Sequence, residues 1–103
     1  MIDMSNLTII KAHQHLIDGD FSARELAESY LKNIEEKNSE FNAYLEVFSD
    51  VLTQADEADK KISEQKVSSH PLTGIPLAIK DNILIKGRTA SCGSKILENY
   101  KAA

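Results

Sequence analysis

The chain has 103 residues, 42% hydrophobic and 27% charged, with a formal net charge of −4, the size and balance of one small globular domain. No lysine or arginine cluster offers a footprint for nucleic acid, so direct RNA or DNA binding is not expected. No apolar run reaches the roughly 18 residues needed to span a membrane. The opening "MIDMSNLTII" lacks a secretory layout, and a single cysteine, Cys92, cannot form an internal disulfide; together these point to a cytoplasmic setting.

From Asn6 to Asp18 the positions Ile9, Ile10, His13, Leu16 and Ile17 form one helical stripe, and Gly19 is placed to end that helix in a left-handed conformation. A second start follows in "DFSARELAESYLKNI". Ser22 and Glu25 have capping-box spacing, and Phe21 can staple onto Leu26. The stripe Leu26, Ala27, Tyr30, Leu31, Ile34 carries this helix to about Asn38. "NAYLEVF" (Asn42 to Phe48) reads as a strand. Asp50 is placed to cap a third helix with Val51, Ala55, Ala58 and Ile62 on its narrow apolar face. "SEQKVSSHP" is a polar loop. "GIPLAIKDNILIKG" (Gly74 to Gly87) reads as a strand broken near Lys80 to Asn82 and resuming as "ILI". "TASCGSKILENY" suggests a loop turning into a short helix, with Ile96, Leu97 and Tyr100 inward.

The predicted order is helix, helix, strand, helix, strand, helix. Two strands joined by a crossover helix imply a parallel pair, and parallel sheets need cover on both faces. The expected class is therefore α/β, but only part of such a fold.

Lys80 is the residue that bears most on function. Strand alternation would put Ile75, Leu77 and Ile79 on one face and Pro76, Ala78 and Lys80 on the other. Ligands of open α/β sheets bind beyond the carboxyl ends of strands, where Lys80 would sit. Partial burial there penalises the ammonium and makes a neutral amine available as a base. Asp81 and Asn82 supply turn chemistry that breaks the strand. The residues alone leave a second reading open, in which Lys80 ends a strand and extends its ammonium into water.

"PLTGIPLAIKDNILIKG" followed by "TASCGSKILENY" resembles the opening block of the amidase signature family. Within that family the chain looks most like the A subunits of bacterial glutamyl-tRNA(Gln) amidotransferases; "SARELAESYLKNIEEKNSEFNAYLEV" is similar to the helices and first strand that precede the block. The resemblance covers nearly the whole chain and is most specific from Leu72 to Tyr100. It implies the N-terminal part of an α/β/α fold with a mixed sheet: residues 1–103 as the first portion of one amidase domain, with a helical lead-in over 1–40 and the start of the sheet, carrying the lysine motif, over 41–103.

The resemblance further implies a triad of a nucleophilic serine, a bridging serine on a cis peptide and a lysine base, the lysine matching Lys80. Neutral lysine deprotonates the bridging serine, which activates the nucleophile against a carboxamide. Ammonia leaves, and water releases the acyl-enzyme. In the amidotransferases the donor is glutamine or asparagine, and the ammonia passes to a partner subunit that uses ATP and Mg to convert Glu-tRNA(Gln) to Gln-tRNA(Gln). No cofactor is expected in this chain itself. Both serines of the family lie in downstream Gly/Ser-rich stretches absent from these 103 residues, and neither Ser91 nor Ser94 matches them; both read as turn and helix-start residues. The expectation is a truncated subunit with a base but no nucleophile, inactive alone, whose exposed apolar edge invites self-association.

Other candidates are weaker. Cys92 in "SCGS" lacks an obvious histidine partner. His13 and His15 lie two apart on a helix and face nearly opposite sides, so they cannot readily share a metal; His70 has no visible role. "GRTASCGS" could cradle an anion, but lacks the ending of a phosphate-binding loop; Gly87 and Gly93 read as backbone-permissive positions. Two alternative functions stand beside the first: an amidase acting on a different carboxamide, and a non-catalytic helical module that docks on a partner.

Overall fold

Three helices carry the regular structure of the computed structural model, which describes residues 2–103: α1 (Ile9–Asp18), α2 (Ala23–Phe41) and α3 (Val51–Gln65). Single 3₁₀ turns occur at Lys66–Ser68 and Lys95–Leu97. Local chemistry fixes the ends of α1. The Thr8 hydroxyl accepts the Lys11 N–H at 3.2 Å. At the other end Gly19 turns left-handed (φ +77°), and the Asp20 N–H reaches the His15 carbonyl at 3.0 Å, closing the helix in a Schellman arrangement.

The predicted capping box opens α2. The Glu25 N–H donates to Ser22 Oγ at 3.0 Å, and the Ser22 N–H donates to Glu25 Oε2 at 2.7 Å. A second, non-local cap adds to it: Asp59, on α3, accepts the N–H groups of Ala23 (2.6 Å) and Arg24 (3.1 Å). A carboxylate at a helix N-terminus satisfies orphan donors and meets the positive end of the dipole. Asp59 thereby bolts α3 to the start of α2. Phe21, expected to staple onto Leu26, packs against the cluster of Leu16, Ala23, Ala27, Ala55 and Ile62 where the three helices meet.

The predicted face of α3 is the observed one, with Ala55 and Ile62 buried and Val51 and Ala58 packed beside them. Its cap differs. Asp50 makes no side-chain bond to the helix backbone, because its carboxylate is taken by Arg88, at 2.8 Å to each oxygen, and by Gln54 at 3.0 Å. The α3 helix also runs to Gln65, into the stretch expected to be a polar loop.

Neither predicted strand forms among the described residues, so the α/β order is not realised here. Over 42–48 the chain leaves α2 through left-handed Asn42 (φ +50°), and the Asn38 carboxamide brackets Tyr44, accepting its N–H at 2.8 Å and donating to its carbonyl at 3.0 Å. Over 76–80 no main-chain group pairs with another strand; the first tie is Ile83 N–H to the Lys80 carbonyl at 2.9 Å, a turn. Both segments have strand-forming residues, yet a strand exists only with a ladder partner. The predicted last helix shrinks to the 3₁₀ turn capped by Ser94, and its apolar residues face outward: Ile96 is 93% exposed. The short pairing that does occur is elsewhere. Residues 87–90 run antiparallel to 100–102, bridged at Thr89 and Lys101, and Ala90 of one segment and Ala102 of the other are buried.

The molecule is open for its length. Its Cα radius of gyration is 15.2 Å, against about 13 Å for a compact chain of this size. Its accessible surface is 7667 Å², where a folded monomer of this mass exposes roughly 5,800 Å². Large apolar side chains share in that exposure, among them Leu45, Leu77, Ile79, Ile83 and Leu84.

Candidate functional site

Gly74 is the upstream anchor of the lysine segment. It adopts φ +83° between the three helices, and a Cβ there would lie 3.0 Å from Leu16 Cδ1, 3.1 Å from Ala23 Cβ and 3.2 Å from Ile62 Cδ1. The backbone passes through the core where side chains from α1, α2 and α3 converge, an approach only glycine allows. Ile75 packs against the same cluster. Beyond it the chain emerges, and Leu77 to Lys80 are exposed.

Lys80 therefore does not have the partial burial expected of it. The alternating strand that was to shield it lacks a sheet to lie on, and its ammonium makes no hydrogen bond or ion pair among the described residues. An open groove of about 780 Å³ runs beside the segment, lined by Tyr30 and Ile34 of α2, Val51 of α3, Phe48, Leu77 and Ile79.

Asp81 organises the downstream side. Its carboxylate accepts the Ser91 N–H at 3.1 Å, the Gly93 N–H at 3.0 Å and the Ser91 hydroxyl, while its carbonyl accepts the Cys92 N–H at 3.3 Å. Cys92 (φ +52°) and Gly93 (φ +70°) are successive left-handed residues, and such a turn concentrates N–H groups into an anion-binding nest. The "GRTASCGS" stretch thus cradles an anion after all, and the anion is Asp81. The Ser91 hydroxyl, followed by the Gly93 and Ser91 amides, holds the Asp81 carboxyl below its ordinary value of 3.8. A carboxylate so depressed stabilises the fold fully above that value, and the contribution fades as pH falls through the lowered one. The Gly93 amide should accordingly stay protected from hydrogen exchange at about pH 5 and open only below the usual carboxylate range. Proton-detected exchange across that interval checks it, and opening already near neutrality would contradict it.

The same loop is tied to α3. Arg88 donates from one nitrogen to both Asp50 oxygens at 2.8 Å, and its guanidinium carbon lies 4.1 Å above the Phe48 ring centre. The Arg88 contact, followed by Gln54, lowers the Asp50 carboxyl. No short-range sequence signal marks this clamp, since its partners stand 38 residues apart. Asp81 is partly legible as a turn residue, but its reach to residues 91–93 is not.

The remaining candidates take structural places. Ser91 is buried and engaged by Asp81, and Ser94 caps the 3₁₀ turn by accepting the Ile96 N–H. Cys92 is free and exposed, in a turn rather than at a helix start. The Nδ1 atom of His13 is buried without a partner among the described residues, whereas His15 Nδ1 meets Asp20 at 2.7 Å and its ring stacks near Phe21. His70 Nδ1 accepts the Leu72 N–H at 3.1 Å. Among the described residues no group of three or more histidines, cysteines or carboxylates could hold a metal ion, and no helix is long and apolar enough to cross a membrane.

The lysine segment, its glycine anchor and the Asp81-filled turn all fall within residues 25–103, the stretch matched by the family model for amidases. The chain belongs to the amidase family. It is similar to proteins named as the A subunit of glutamyl-tRNA(Gln) amidotransferase: 41% identical over 101 residues to that of Dehalococcoides mccartyi, covering 97% of this chain and 20% of the relative. The relative from Brachyspira hyodysenteriae is 40% identical over 105 residues, 98% of this chain and 21% of its own. That from Ruminiclostridium cellulolyticum is 42% identical over 100 residues, 96% and 20%. The chain thus spans about a fifth of the length of these curated relatives. No solved structure matches it.

Proposed function

We propose that this chain is the N-terminal portion of a glutamine-hydrolysing amidase subunit, and that Lys80 is the base of its triad. The observation that carries the reading is the position of Lys80 in an apolar segment, between the Gly74 anchor and the Asp81 turn, inside the stretch that matches the amidase family. The names of the relatives support the narrower assignment, in which ammonia from glutamine or asparagine passes to a partner subunit that amidates Glu-tRNA(Gln). ATP and Mg act in that partner, and the complex works in the cytoplasm. The non-catalytic helical module has no such family match behind it.

The nucleophilic and bridging serines lie outside these 103 residues, and the isolated chain is inactive. In a polypeptide of the relatives' length the remainder of the domain covers the apolar face that here leaves the surface so large, and supplies ladder partners for 42–48 and 76–80. Desolvation of Lys80 comes with that cover. The chain on its own instead self-associates through the same face. Sedimentation should show concentration-dependent oligomers; a monomer at all concentrations, with slow amide exchange throughout Gly74 to Ile85, speaks against it.

The experiment for function is ammonia release from glutamine. A polypeptide extended to the relatives' length is expected to release it, and the 103-residue chain alone is not. Failure of the extended protein on glutamine and asparagine, with turnover of some other carboxamide, would move the assignment to a different amidase.

A further inference from the structure

Gly74 and Ile75 fix the upstream end in the core, but between Ile75 and Lys80 no main-chain group of this chain is paired, so that anchor reaches Lys80 only through an untied stretch. The first fixed point it meets is its immediate neighbour. Asp81 holds residues 91–93 through four hydrogen bonds, three to its carboxylate and one to its carbonyl. That turn is itself immobilised. The Ala90 N–H donates to the Tyr100 carbonyl at 3.1 Å, the Ser94 N–H to the Ser91 carbonyl at 2.9 Å, and two residues before Ala90 the Arg88 clamp reaches Asp50 at the start of α3.

We infer that Asp81 is the positioning residue for Lys80: by filling the nest at residues 91–93 it fixes the lysine's backbone against the turn and, through Arg88, against α3. The inference rests on the reading of Lys80 as the base. It adds a role for the neighbouring carboxylate, which does not touch the reacting atoms. A base displaced by even about 1 Å can lose on the order of 100-fold in rate, so the tether has a kinetic consequence separate from stability. An alanine at 81 leaves the nest without its anion and keeps only the bond from the Cys92 N–H to the carbonyl at 81, at 3.3 Å, to tie the lysine's backbone to the turn. An asparagine keeps the size and one acceptor oxygen, but cannot take all three donors at full strength.

The test uses the extended polypeptide with glutamine as substrate and compares Asp81→Ala, Asp81→Asn and Lys80→Ala. Asp81→Ala should lower kcat by about 10- to 100-fold with KM nearly unchanged, and Asp81→Asn should recover part of the loss. Amide exchange should quicken at Gly93 while Leu26 and Ile62 stay protected, which separates displacement from unfolding. If Asp81→Ala does not fold, the kcat of Asp81→Asn decides instead. Unchanged kcat in an Asp81 variant whose Gly93 amide has opened overturns the positioning role while leaving Lys80 as base, provided Lys80→Ala abolishes turnover. Retained turnover in Lys80→Ala overturns both together, so the two failures are told apart.

Discussion

Gly74→Ala should lower the stability of the fold by about 3 kcal/mol, the largest loss expected of a Cβ added at any of the four glycines. Two costs combine. The residue sits at φ +83°, where an L side chain is strained, and its Cβ would press on Leu16, Ala23 and Ile62 at 3.0–3.2 Å. None of the three can withdraw easily, since all are buried in the cluster where the helices meet. Gly19 is the internal control: its φ of +77° is equally demanding, but nothing lies within 4 Å of its Cβ position. Gly19→Ala should therefore cost only the backbone share, about 1 kcal/mol. Denaturant midpoints of the two variants isolate the packing component by difference. Equal losses would mean that the chain does not thread the core at Gly74, and that the lysine segment has another origin.

The second large effect is catalytic. In the extended polypeptide, Lys80→Ala should reduce glutamine hydrolysis by about 10³-fold or more while the helices remain folded, as removal of a general base does. Lys80→Arg is the sharper variant. Arginine keeps the positive charge and much of the length, but it never supplies a neutral amine. A base role therefore predicts that arginine fails as badly as alanine. If arginine restores turnover, Lys80 contributes charge rather than proton transfer, and if alanine retains it, Lys80 is a surface residue at the start of a turn.

What the sequence made legible follows the range of the interactions involved. Gly19, Ser22 and Glu25 act within a turn or two of themselves, and the end of α1 and the capping box of α2 follow from spacing alone, whereas the Thr8 cap of α1 is a finding of the structure. The apolar face of α3 is equally local. The strand expectations at 42–48 and 74–80 rest on local propensity too, but a strand is a relation between segments, and among residues 2–103 neither segment finds a partner. Lys80's exposure has the same origin. The contacts that shape the site escape sequence reading because they are long-range: Asp59 to the start of α2, Arg88 to Asp50, and Asp81 to Ser91 and Gly93. Asp50 illustrates the competition, since a residue with good capping chemistry is drawn away by a guanidinium that spacing could not announce. Family membership adds the functional reading that neither periodicity nor composition supplies.

The claim that this chain supplies the base and not the nucleophile is tested most directly by locating the acyl-enzyme. The extended polypeptide is mixed with glutamine, quenched in acid during turnover, digested and analysed by mass spectrometry for a glutamyl ester. The expected result is an adduct on a serine outside residues 1–103 that disappears in Lys80→Ala. An adduct on Ser91, Ser94 or Cys92 would contradict it, and would place the nucleophile in the turn that Asp81 holds.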